Sequence, residues 1–269
     1  MPFQSVRDIT VYSERAGAGP RLLYISGSGA DLRAHPNVFD GQLPKHFEVL
    51  AYDQRGLGRT SKPDRAYTMA DYAEDAAALL DGYGWDSCHV MGSSFGGMVA
   101  QEFAIRFPER VHRLVLSCSA SGGQGGSSYP IHEYFDLSAE EAARRSLEVA
   151  DTRRDAAWQI AHPEEVSAAI ERREAQLSAW VASPEAAMGF RRQLAARWAH
   201  DTYSRLPLLS MPVLIVGGTC DGQAPPANQE VLHSRIPNST LEFFEGAHGI
   251  FLQQDPRGMP RVIEWLSAG

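Results

Sequence analysis

The hexapeptide Gly92-Ser93-Ser94-Phe95-Gly96-Gly97 constrains this chain more than any other stretch. It follows the largely apolar run Cys88-His89-Val90-Met91 and opens a helix-forming segment, Phe95–Phe107, which Pro108 stops. A strand that hands over directly to a helix leaves little room at the bend. The pattern G-x-S-x-G answers that need by placing small residues two before and two after a central serine, so that the serine hydroxyl stands exposed at the sheet edge. Ser94 occupies the centre. Ser93 is the flanking position and is expected to point elsewhere, into a structural hydrogen bond.

The surrounding pattern supplies the sheet. Phe3–Val6 and Ile9–Glu14 read as a hairpin, and Arg21–Ser26, Phe47–Asp53, Ser87–Gly92 and Arg113–Ser119 as further strands. Near the C-terminus Pro212–Gly218 and Thr240–Glu245 repeat the type, each followed by a helix-like segment. Thr68–Tyr83 sets Met69, Tyr72, Ala73, Ala76, Leu79 and Leu80 on one helical stripe. Continuous apolar strands alternating with helices imply a mostly parallel sheet of eight strands covered on both faces.

Between Ser119 and Pro212 the strand pattern stops. A Gly/Ser-rich hinge, Ser121–Ser128, is followed by helical segments at Ala139–Ala150, Arg153–Ala161, Glu164–Ala182 and Glu185–His200. Pro163 and Pro184 suit first helical positions, and Ser183 suits an N-cap. Val166, Ile170, Leu177, Trp180 and Val181 fit one face. These observations divide the chain into a core, residues 1–120 and 207–269, and a helical cap, residues 121–206, inserted between the sixth and seventh strands. A cap so placed covers the carboxyl edge of the sheet, where open α/β sheets bind ligands.

Ser94 needs a base, and the base needs an orienting carboxylate. Asp221 stands on the loop after Pro212–Gly218, and His248, between Ala247 and Gly249, on the loop after Thr240–Glu245. The order Ser94, Asp221, His248 is the one this topology supplies. The oxyanion of acyl transfer needs pre-aimed donors. The Phe95 amide is one, and the loop Ser26-Gly27-Ser28-Gly29-Ala30 offers the other, assigned to Ser28. A dinucleotide-binding reading of Gly27-Ser28-Gly29 fails because Leu32 replaces the third glycine and His35-Pro36 interrupts the required helix.

Composition excludes other classes. The 269 residues carry a formal net charge of −8 with acids and bases mixed along the chain, which argues against a nucleic-acid footprint. No apolar run is long enough for a membrane span, and the start of the chain does not read as a signal peptide, so a cytoplasmic protein is expected. The three cysteines are widely spaced and suggest neither a disulfide framework nor a zinc site.

At this point the chain resembles the α/β-hydrolase superfamily across nearly its whole length. Three motifs carry the resemblance: GSSFGG at 92–97, the loop YDQRGLGRT at 52–60, and the acid and histidine loops. The stretch Met98–Val115 is especially similar to enol-lactonases and cofactor-free haloperoxidase-type esterases. The resemblance implies an α/β-hydrolase fold, and a structural loop in which Asp53 and Arg55 fix the chain while Gly56 and Gly58 take conformations barred to other residues. The chain departs from the family in carrying Ser26-Gly27 where His-Gly is usual. Ser94 argues against epoxide hydrolases and haloalkane dehalogenases, which place Asp at that position.

The expected activity is hydrolysis of a small carboxylic ester or lactone through an acyl-enzyme, with no metal or organic cofactor. The expected partner is a small molecule with an apolar or aromatic part, contacted by Gly27, Trp158, Trp180, Phe190 and Trp198. Carbon–carbon bond hydrolysis of the meta-cleavage type is the alternative, and a non-catalytic ligand-binding member of the fold stands third. The paired arginines of residues 144–145, 153–154, 172–173 and 191–192 read as a solvated helix face.

Overall fold

The computed structural model describes residues 2–268. Eight strands form one sheet in the order β1-β2-β4-β3-β5-β6-β7-β8: β1 Phe3–Val6, β2 Ile9–Ala16, β3 Arg21–Ile25, β4 Glu48–Tyr52, β5 Cys88–Ser93, β6 Val111–Ser117, β7 Val213–Gly218 and β8 Ser239–Phe244. The β1–β2 and β2–β4 pairs are antiparallel, and every later pair is parallel. Strand β2 runs two residues past the expected Glu14, because Arg15 and Ala16 pair with Leu50 and Val49 of β4.

Helix α1, Met69–Gly82, shows why periodicity was a sound guide. Thr68 and Asp71 form a reciprocal capping box, and all six residues of the expected stripe are buried. Helix α2, Phe95–Arg106, packs beside α1 over the same sheet face, where the side chains of Leu23, Ile25, Val90, Leu114 and Ile215 meet theirs. The opposite face carries Leu22, Met91, Val115, Leu214 and Val216, which pack among residues of the C-terminal helix.

Four helices lie between β6 and β7: α3 Ala139–Ala150, α4 Ala156–Ala161, α5 Pro163–Ala182 and α6 Pro184–Trp198. Four details differ from expectation. Helix α4 starts at Ala156, not Arg153, because the Asp155 carboxylate caps it by accepting from Trp158 N. Ser183 sits at the N-cap of α6 but makes no side-chain cap bond, and Val181 is 82% exposed, off the buried face. The glycine-rich hinge is pinned, since Gly122 pairs with Asp201, and Thr202 N donates to Ser121 O. The two ends of the insertion thus meet at one neck.

Helix α6 docks the insertion onto the core. Gly189 touches the backbone of Gly56 so closely that a Cβ there would collide with the Gly56 carbonyl oxygen. One turn on, Arg192 donates to Pro63 O at 2.7 Å and pairs with Asp64. The loop it docks on is rigid. Asp53 accepts from Leu32 N and Arg59 N at 2.8 Å each, and buried Arg55 is bidentate to Asp75 and reaches Asp8. Gly56 and Gly58 adopt φ of 84° and 49°. Following β7 come α7 Pro226–Arg235 and, after β8, α8 Phe251–Gln254 and α9 Gly258–Ser267. No helix among the described residues is long and apolar enough to cross a membrane.

Candidate active site

The bend between β5 and α2 is as tight as the glycines suggest. Ser94 takes φ 55° and ψ −117°, a conformation that costs a side-chain-bearing residue about 1–3 kcal/mol. The surroundings hold it there. Ser94 N donates to Ser117 O at 2.8 Å, and Ser94 O accepts from Gly97 N and from Ser119 Oγ at 2.9 and 3.0 Å. A Cβ at Gly92 would strike the Gly96 carbonyl, and one at Gly96 would strike the carbonyls of Ile25 and Ser26. These glycines are required for close approach, not for flexibility. Ser93 turns away, its Oγ 3.7 Å from Cys118 Sγ, and lines a cavity of about 650 Å³ beside the bend with Tyr24, Met91 and Ile250.

Ser94 Oγ lies 2.9 Å from His248 Nε2, and His248 Nδ1 lies 2.7 Å from Asp221 Oδ2. Asp221 is 1% exposed, and its other oxygen accepts the amides of Gln223 and Ala224 at 2.8 Å each. An ionised carboxylate only accepts, so this arrangement puts the imidazole proton on Nδ1 and leaves Nε2 free to receive one. The insertion braces both loops: His248 N donates to Ala150 O at 2.8 Å, and Thr152 N to Cys220 O at 2.9 Å. Cys118 Sγ joins Asp221 and His248 in a cluster within 4.8 Å. Burial, with the Asp221 charge nearby, pushes that thiol up to about 11, so it remains a neutral filler behind the acid.

Phe95 opens α2, so its amide has no intrahelical acceptor. Its ring is fully buried, edge-on to Tyr72 at 5.0 Å. On the loop after β3, a Cβ built at Gly27 would sit 3.5 Å from Ser94 Cβ, which brings Gly27 and its neighbour Ser28 alongside the nucleophile. The Ser28 hydroxyl is buried without a hydrogen-bond partner among the described residues. Two glutamines hold this loop: Gln54 Nε2 donates to Ser26 O at 2.8 Å, and Gly29 N donates to Gln193 Oε1 at 2.9 Å.

The four aromatic residues expected at the substrate separate into two groups. The Phe190 ring lies against Gly29 and clusters with Trp180 at 5.5 Å, and Phe135 completes the set at 5.2 Å from Trp180. Trp158 instead stacks on His162 at 4.3 Å, and Trp198, 56% exposed, meets His132 at 4.8 Å. Both of these contacts are internal to the insertion. The arginine pairs are also not uniformly solvated: Arg173 donates to Tyr134 O at 2.9 Å and lies over the Trp180 ring.

Gln54, Gln193 and Gln223 were not legible as site residues. A glutamine in a polar loop or helix carries no pattern of its own, although Gln223 stands only two positions after the triad acid. Its Nε2 lies 2.8 Å from His248 Nε2.

Comparison with known proteins shows the family. The chain is 28% identical over 254 residues to a poly(3-hydroxyalkanoate) depolymerase of Ectopseudomonas oleovorans, covering 91% of this chain and 83% of that one. A 124-residue stretch is 38% identical to a 2-hydroxymuconate semialdehyde hydrolase of a Pseudomonas species, covering 45% of this chain and 42% of the other. The crystal structure of an enol-lactonase from Burkholderia xenovorans superposes with a TM-score of 0.77 at 22% identity, over 99% of this chain and 100% of that one. The sequence pattern of the alpha/beta hydrolase fold spans residues 20–255, from the strand before the oxyanion loop to beyond His248. A match of that extent, over a sheet of this order with a tight strand-to-helix bend after β5, means that the chain belongs to the alpha/beta hydrolase fold family.

Proposed function

We propose that this protein is a serine hydrolase that cleaves a small carboxylic ester or lactone through an acyl-enzyme on Ser94. The observation that carries the reading is the continuous relay from Ser94 Oγ through His248 to a buried Asp221, at 2.9 and 2.7 Å. In this scheme His248 Nε2 takes the hydroxyl proton as Ser94 attacks the carbonyl, and the Asp221 charge stabilises the imidazolium. The amides of Phe95 and Ser28 receive the developing oxyanion. His248 then returns its proton to the leaving alcohol and activates water to release the acid. Every proton is handled by these side chains.

The helices between β6 and β7 act as the cap in this reading, and residues 121–206 form a unit distinct from the core. Phe190, Trp180 and Phe135 give the oxyanion side an aromatic wall, which suits a substrate with an apolar or aromatic part. The depolymerase named above is a relative that supports ester chemistry. The local identity to a semialdehyde hydrolase favours carbon–carbon bond cleavage with the same triad as the second reading.

A panel of p-nitrophenyl esters, lactones and vinylogous diketones, each run with wild type and Ser94→Ala, tests the proposal. Esters or lactones should turn over, and Ser94→Ala should lower turnover about 10⁴- to 10⁶-fold. Retention of most activity by Ser94→Ala would sink the mechanism. Turnover confined to the diketones would transfer the assignment to the second reading.

A further inference from the structure

Gln223 bears on the one nitrogen that the reaction uses. Its carboxamide nitrogen lies 2.8 Å from His248 Nε2, which Ser94 Oγ approaches at 2.9 Å. The main chain of Gln223 is clamped on both sides. Its N–H donates to Asp221 Oδ1 at 2.8 Å, and its carbonyl accepts from Tyr129 N at 2.7 Å. Gly222, just before it, abuts the Val149 carbonyl of α3 so closely that a Cβ there would lie 2.8 Å from that oxygen. The amide is thus held over the imidazole by a braced loop.

A neutral imidazole nitrogen has one lone pair, and here two donors share it. An apolar side chain of similar length would fill the space without competing with Ser94 for that lone pair. The amide therefore weakens the resting contact between nucleophile and base. Its use falls in the second half of the reaction. Once Ser94 Oγ carries an acyl group it no longer donates, and water must take its place at Nε2. That water has a second O–H in need of an acceptor. The carboxamide oxygen reaches the required position by a half-turn about the terminal bond of the side chain, a rotation that exchanges donor for acceptor without moving the loop.

The geometry points to Gln223 as a further catalytic residue, holding with His248 the water that deacylates Ser94. This inference rests on the serine-hydrolase reading above. The water oxygen adds to the acyl carbon while one of its protons passes to His248 Nε2. The bond from the acyl carbon to Ser94 Oγ then breaks, and Oγ takes that proton back. The other proton leaves on the acid product, and Gln223 neither gains nor loses one.

The test is p-nitrophenyl butyrate hydrolysis by wild type, Gln223→Leu and Gln223→Glu, with and without added methanol. Acylation is read with enzyme in excess, deacylation at steady state, and acyl-Ser94 by intact mass after acid quench. Gln223→Leu should acylate at least as fast as wild type and lose roughly three- to tenfold in deacylation, the scale of one hydrogen bond between neutral groups. Acyl-enzyme should accumulate. The ratio of methyl butyrate to butyrate should rise, because methanol has no second O–H to satisfy. Gln223→Glu keeps the length and an acceptor oxygen, and should bring the ratio back toward wild type. Equal losses in acylation and deacylation, or an unchanged methanol ratio, would overturn the role of Gln223 and leave the hydrolase reading standing. A wild type that forms no acyl-Ser94 with any ester would overturn both.

Discussion

Asp221→Asn should cost about 10⁴-fold in kcat/KM, or about 5.5 kcal/mol of transition-state stabilisation, while the fold survives. The reason lies in how the carboxylate is surrounded. One oxygen accepts two backbone amides, from Gln223 and Ala224 at 2.8 Å each, and the other accepts His248 Nδ1 at 2.7 Å. An asparagine has only one oxygen to offer. If that oxygen faces His248, the new NH₂ meets two N–H donors and two hydrogen bonds are lost. If it faces the backbone pair, both are kept, and the NH₂ turns to His248 Nδ1. The second arrangement is preferred by about 2 kcal/mol, since it keeps two more hydrogen bonds. It forces the imidazole proton onto Nε2, where the ring can no longer accept from Ser94. The assay is kcat/KM on p-nitrophenyl butyrate with thermal unfolding in parallel. A loss below tenfold in a variant that melts near wild type would refute the claim that Asp221 sets the tautomer.

Three further outcomes follow from the same structure. Gly96→Ala should destabilise the protein by about 1–3 kcal/mol in urea unfolding and displace the oxyanion loop, because its Cβ would meet the carbonyls of Ile25 and Ser26; wild-type stability and activity would contradict the packing argument. Phe190→Ala should lower kcat/KM for phenylacetyl esters relative to acetyl esters by about 1–3 kcal/mol, and an unchanged ratio would remove the aromatic wall from the substrate site. Burial holds the His200 pKa down at about 4, from an ordinary value of 6.5. The unfolded chain therefore binds the extra proton first as pH falls. The stability that His200 contributes is complete above 6.5 and is lost between 6.5 and 4, at about 1.4 kcal/mol per pH unit. Urea unfolding at pH 7.5 and pH 5 should show the decline, and His200→Gln should make it shallower without abolishing it, because burial holds His89 at about 4 as well; a His200→Gln variant with the same slope would contradict the assignment.

The strands and α1 were legible because burial enforces periodicity: Met69 through Leu80 must present one face, and the sequence has to say so. That Ser94, Asp221 and His248 come together was legible because each follows its own strand. What stayed hidden depends on contacts between distant segments. That Phe190 lies against Gly29 depends on how α6 docks, and that docking rests on a touch between Gly189 and Gly56 that leaves no periodic trace. Gln193 and Gln54 hold the loop after β3, each from a different part of the chain. Val181 shows the converse error. An apolar residue at the right spacing is 82% exposed, although Trp180 beside it packs against Phe190 and Phe135.

The central claim is that Ser94 becomes covalently acylated. Acid-quenched intact mass of the wild-type protein, taken within the first turnover of an activated ester, should show one added acyl group, with peptide mapping placing it on Ser94. The same protocol on Ser94→Ala should show none. Turnover of the ester with no acyl adduct, or an adduct that persists in Ser94→Ala, would contradict the account.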